Sequence, residues 1–157
     1  MRVQICAVGR LRSGPEKALI DDYSARFDRT GRALGLGPLS FIEVEDKKSG
    51  GMAAEAELLA KALPPSVFKV VLDERGVLQS SPEFAQTLGS WRDCGCSNLV
   101  FVIGGADGLA PSFRAGADFS LSFGAMVWPH MLVRVLLTEQ LYRAHCILTG
   151  HPYHRGH

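Results

Sequence analysis

No run of residues in this chain reaches the roughly 18 consecutive apolar positions that a membrane-spanning helix needs, so these residues hold no helical anchor. Charge imbalance is also missing: 17 Lys and Arg stand against 16 Asp and Glu, a net +1. That balance argues against a general nucleic-acid coat, which works by phosphate neutralisation. Hydrolytic signatures are absent as well. There is no G-x-S-x-G elbow and no pair of carboxylates at a catalytic spacing. Nor is a metal expected. Cys94-Gly95-Cys96 is tighter than the spacing of structural zinc pairs and has no second pair to complete it, while Cys6 and Cys146 sit in apolar patterns as small hydrophobes. His130, His145, His151, His154 and His157 put no H-x-x-x-H pair on a firm helical pattern, and Pro152 imposes extended backbone between two of them.

What the chain does have is 46% hydrophobic residues over 157 positions, enough for one core, and residues 1–157 read as a single domain. The opening apolar stretch lacks the length and flanks of a signal peptide, so it reads as a strand and a cytoplasmic location is expected. Apolar periodicity predicts strands over 2–8, 39–45, 67–72, 99–103 and 119–122. Between them it predicts helices over 15–31, 52–63, 82–91 and 111–117, and a last helix over 131–148. Gly31 is expected to end the first helix and Pro64-Pro65 the second. Alternation of this kind means an α/β fold, a mostly parallel sheet with helices on both faces.

Ligands of such sheets bind beyond the carboxyl ends of the strands. Three loops fall there: 72–76, 104–109 and 123–130. Gly104-Gly105-x-x-Gly108 follows a strand, so it can turn sharply and offer bare backbone to a ligand. It matches neither the dinucleotide fingerprint nor the P-loop, and a plain turn explains it equally well. The loop Phe123-Gly124-Ala125-Met126-Val127-Trp128 is too apolar for free exposure; it either sandwiches a flat group such as adenine or packs on the core. The last helix is apolar around most of its circumference, which suits a second copy of the chain or a central core position. Arg10, Arg12, Lys17, Arg26, Arg29, Arg32 and the pair Lys47-Lys48 make a locally basic region, a solvated face or a phosphate-facing patch.

Taken in order, the segments Phe101-Val102-Ile103-Gly104-Gly105-Ala106-Asp107-Gly108-Leu109, Leu121-Ser122-Phe123, Pro129-His130-Met131-Leu132-Val133-Arg134-Val135-Leu136-Leu137-Thr138-Glu139-Gln140-Leu141-Tyr142-Arg143-Ala144 and His151-Pro152-Tyr153-His154-Arg155 closely resemble the ribosomal large-subunit methyltransferase H (RlmH) family. The resemblance runs the whole length. It implies a SPOUT-type α/β fold with a C-terminal trefoil knot, and a homodimer that uses S-adenosyl-L-methionine to methylate N3 of a pseudouridine in large-subunit (23S) ribosomal RNA. Carried over by position, Leu72, Gly104, Gly105, Phe123, Gly124, Ala125, Met126, Val127 and Trp128 would bind the cofactor. Tyr153, His154, Arg155 and Arg134 would serve catalysis, with His154 or water as the base. The partners implied are a second copy and rRNA within the ribosome, with no metal and no membrane.

Overall fold

The computed structural model describes residues 1–155; Gly156 and His157 lie outside the described residues. Strands β1 (Arg2–Val8), β2 (Leu39–Val44), β3 (Phe68–Leu78), β4 (Asn98–Ile103) and β5 (Phe119–Ser122) form one sheet in the order β2-β1-β4-β3-β5. Every neighbouring pair runs parallel. Helices α1 (Pro15–Leu34), α2 (Gly51–Ala62), α3 (Ser81–Asp93), α4 (Pro111–Ala115) and α5 (His130–Thr149) cover it.

The central strands show why both faces need covering. On β1, Val3, Ile5 and Ala7 face one side and Cys6 and Val8 the other; on β4, Leu99, Phe101 and Ile103 oppose Val100 and Val102. The first set packs against Phe27 of α1, Phe84 and Leu88 of α3, and Leu137 and Leu141 of α5. The second set meets Leu59 of α2 and Phe113 of α4. With each large apolar side chain contributing about 1.5–3 kcal/mol on burial, these two layers dominate the stability of the sheet.

Several boundaries differ from the sequence reading. α1 does not stop at Gly31 but continues to Leu34, capped by Gly35 in the left-handed region at φ 67°. Gly31 is a packing residue instead: a Cβ there would strike the Leu36 carbonyl and lie 3.1 Å from the His145 ring. β3 does not end at Leu72. It runs on to Leu78, with a bulge in which Leu72 and Val77 both register against Leu121, so the expected loop 72–76 is an excursion within the strand. α4 is two residues shorter than expected, closing at Ala115 on Gly116.

Candidate active site

A cleft of about 350 Å³ opens beyond the carboxyl ends of β3, β4 and β5. Leu72 at the β3 bulge, Ile103 at the end of β4 and Leu121 one residue before the end of β5 line it, as the topology of an open parallel sheet dictates. Its walls are the β3 bulge, the turn 104–108, the loop 123–128 and the first turn of α5, where His130 and Val133 face inward. Met52 closes the side next to α2.

Local chemistry holds these walls together. Ser122 Oγ donates to the Glu74 carbonyl at 3.0 Å and accepts from the Gly124 amide at 3.0 Å, tying the β3 bulge to the apolar loop. Asp73 accepts from the Arg75 amide at 3.0 Å and from Arg114 Nη1 at 3.1 Å. Burial alone would raise the Asp73 pKa, but those two donors outweigh it and hold the carboxyl below its ordinary range. The turn 104–108 closes on itself through the Gly108 amide and the Gly105 carbonyl, 3.0 Å apart. A Cβ on Gly104 would stand 2.8 Å from the Gly108 carbonyl carbon, so this glycine is required by the turn's own closure and not by space kept for a ligand.

Of the sequence-derived cofactor residues, Leu72, Gly104, Gly105, Phe123, Gly124, Met126, Val127 and Trp128 line the cleft. Ala125 does not line it and is exposed. The four residues expected to serve catalysis lie elsewhere. Arg134 is 2% exposed, and its guanidinium donates to the Val8 and Gly9 carbonyls at 2.8 and 2.7 Å and to Glu43 at 2.9 Å. It anchors α5 to the ends of β1 and β2 instead of facing a substrate. Tyr153 Oη donates to Glu139 at 2.9 Å, and His154 Nδ1 is 3.2 Å from Arg143 Nη1. Arg155 Nε donates to the Pro152 carbonyl at 3.2 Å. Glu139 and Tyr142, which seat the tail, each follow a cleft residue of α5 (His130, Val133) by nine positions, about half a turn around the helix axis. Cleft and tail therefore occupy opposite faces of one helix.

His130 is the cleft residue that sequence reasoning left unplaced. Its Nδ1 is buried with no hydrogen-bond partner among the described residues, and burial, then the Arg134 charge, keep its pKa below the ordinary histidine value. A neutral imidazole is thus offered to whatever fills the cleft. The available signal was its position, one residue past the apolar loop at the start of a helix. His145, by contrast, is fully buried against Phe27 with ring centroids 3.8 Å apart.

The lining suits a ligand with a flat, weakly polar ring. Leu72, Leu121, Val133 and Trp128 supply apolar surface, backbone groups of the two loops supply hydrogen bonds, and Asp73, Glu74 and Asp107 stand among Arg75 and Arg114. Comparison with known proteins decides the class. The family model described as "Predicted SPOUT methyltransferase" matches residues 1–154. Proteins named ribosomal RNA large subunit methyltransferase H from Ruegeria sp. (strain TM1040) and Ruegeria pomeroyi are 68% and 69% identical over 155 residues, 99% of each chain. The chain belongs to the large-subunit ribosomal RNA methyltransferase H family. It is a SPOUT methyltransferase. The fold matches a probable methylase family protein from Haemophilus influenzae Rd KW20 at TM-score 0.52 and 15% identity, covering 98% of this chain and 70% of that one. A probable methyltransferase from Bordetella pertussis Tohama I matches at TM-score 0.51 and 14% identity, covering 91% and 95%.

Proposed function

We propose that this SPOUT methyltransferase transfers a methyl group to N3 of a pseudouridine in 23S rRNA, in the cytoplasm, on the assembled ribosome, as a homodimer with the family's C-terminal knot. One observation carries the dimer: the cleft and the tail Tyr153-His154-Arg155 lie on opposite faces of α5, a helix about 30 Å long at 20 residues. A tail seated against its own helix does not reach its own cleft. A second copy brings one in. Met126, Val127 and Trp128, 74%, 86% and 42% exposed, form an apolar surface at the mouth of the cleft, suited to such a partner.

In this reading the cleft holds the methyl donor, which supplies an electrophilic methyl on a positive sulfonium. Leu72, Gly104, Gly105, Phe123, Gly124, Met126, Val127 and Trp128 would hold it, leaving its methyl open to the RNA imide nitrogen. N3 is a weak nucleophile while protonated, and the partner's tail answers that. His154 accepts the N3 proton, and the Arg155 guanidinium holds the negative charge that develops on the neighbouring carbonyl oxygen. The small net charge of +1 supplies little unspecific attraction to RNA, which favours a preformed ribosomal surface over free transcript as substrate. The test is tritiated methyl transfer onto ribosomes lacking the modification, followed by nucleoside mass spectrometry. An N3-methylated pseudouridine is expected. Label at another nucleoside, or equal rates on protein-free transcript and intact ribosomes, would overturn the corresponding part of the proposal.

A further inference from the structure

The turn 104–108 is built against a carboxylate from another element. Glu55 lies one turn after Met52 on α2, and it does not line the cleft; it stands behind the turn that does. A Cβ built on Gly105 would lie 2.9 and 3.0 Å from the two Glu55 carboxylate oxygens. Gly105 has no positive φ, so its backbone is one that any residue adopts. A side chain at 105 would have to push that carboxylate aside. Glu55 Oε2 is moreover buried without a hydrogen-bond partner among the described residues, although the carboxylates of Asp46 and Asp107 stand nearby. Burial, then those two like charges, push the Glu55 pKa up, and the Gly105 amide pulls it partly back. A buried carboxylate oxygen with no partner and two like-charged neighbours does not stabilise α2. Its placement makes sense as a seat for the turn.

We propose that Glu55 is a positioning residue of the methyl-donor site: its carboxylate seats Gly105 and so holds the turn 104–108 in the shape that receives the cofactor. This rests on the cleft being the cofactor site. Glu55 touches no reacting atom; it acts through the backbone of the turn.

The contact is reciprocal, and a double-mutant cycle reads it. S-adenosyl-L-methionine affinity is measured by calorimetry for the full-length wild type, Glu55→Ala, Glu55→Gln, Gly105→Ala and the Glu55→Ala/Gly105→Ala pair, with thermal melting of each. Glu55→Ala should weaken binding about tenfold or more, while Glu55→Gln, which keeps an oxygen against Gly105, should stay within about threefold. Gly105→Ala should weaken binding about as much as Glu55→Ala, because the new methyl displaces the carboxylate, yet should add less than about twofold once Glu55 is already Ala. Losses that multiply in the pair, or Glu55→Ala affinity within about twofold of wild type, would overturn the proposal. Gly105→Ala removes no packed side chain, so wild-type affinity in that variant overturns it even where Glu55→Ala fails to fold. Hydrogen exchange of the wild type with and without cofactor keeps the two questions apart. Absence of protection at 104–108 and 123–128 refutes the cofactor site, whereas protection there with unaltered variant affinities refutes only the role of Glu55.

Discussion

A guanidinium sealed from water with oxygen partners on three other residues does not trade with an ammonium. Arg134 reaches the Val8 and Gly9 carbonyls and Glu43 at once through its planar fork. Arg134→Lys should therefore lose about 2 kcal/mol and Arg134→Met about 3 kcal/mol, read as urea midpoints, the carbonyls being left unpaired in each. His145 carries a pH signature. Burial lowers its pKa from 6.5 to about 4, so the folded protein keeps it neutral where the unfolded chain takes up a proton. Its contribution is complete above pH 6.5 and is lost as pH falls from there to about 4, up to roughly 3 kcal/mol. His145→Phe should flatten that part of the stability profile; an unchanged slope between pH 6.5 and 4 would refute the assignment. Neither role was readable from residue type. An Arg and a His on an apolar helix look alike as candidate reactants until Thr30, Phe27 and Glu43, all more than 90 positions earlier, are seen beside them.

At the scale of elements, the turn 104–108 is the most exacting wall of the cleft. Gly104→Val should leave the sheet folded but reduce S-adenosyl-L-methionine binding at least about a hundredfold, since a side chain there meets Gly108 backbone that has no room to move. Calorimetry on the folded variant checks this, and normal affinity would remove the turn from the site. Most strands were readable, because apolar periods of two and buried runs report faces directly. The second half of β3 was not: polar Asp73 to Gly76 look like a loop in any sequence, and only pairing of Val77 and Leu78 with β5 brings the chain back into the sheet. Gly31 misled for a related reason. A glycine that admits a neighbouring carbonyl and one that ends a helix are the same letter. The loop 123–128 was found by its apolarity, but its path depends on Gly124, whose φ is 111°.

For the whole molecule, the opposed faces of α5 lead to a complementation test. Deleting residues 153–157 should leave cofactor affinity within about threefold but lower turnover by roughly two orders of magnitude or more. Gly104→Val should fail at the other step. Mixed and allowed to exchange subunits, the two inactive proteins should recover about a quarter of wild-type activity, one competent site in each mixed dimer. Recovery of nothing, or a 17 kDa particle with full activity in light scattering, would refute a shared site. The position of α5 in the chain has a consequence for biosynthesis. Every strand is complete by Ser122, yet the sheet face bearing Ile5, Phe101 and Ile103 waits for Leu137, Leu141 and Ala144, and α5 begins only at His130. Translation runs from the N-terminus, so a nascent chain holds its full sheet with one side covered only by α1 and α3 while the last helix is still inside the exit tunnel. A chain stalled or truncated before α5 would thus carry an apolar surface recognisable to holding chaperones and proteases, a sticky product instead of a slow enzyme.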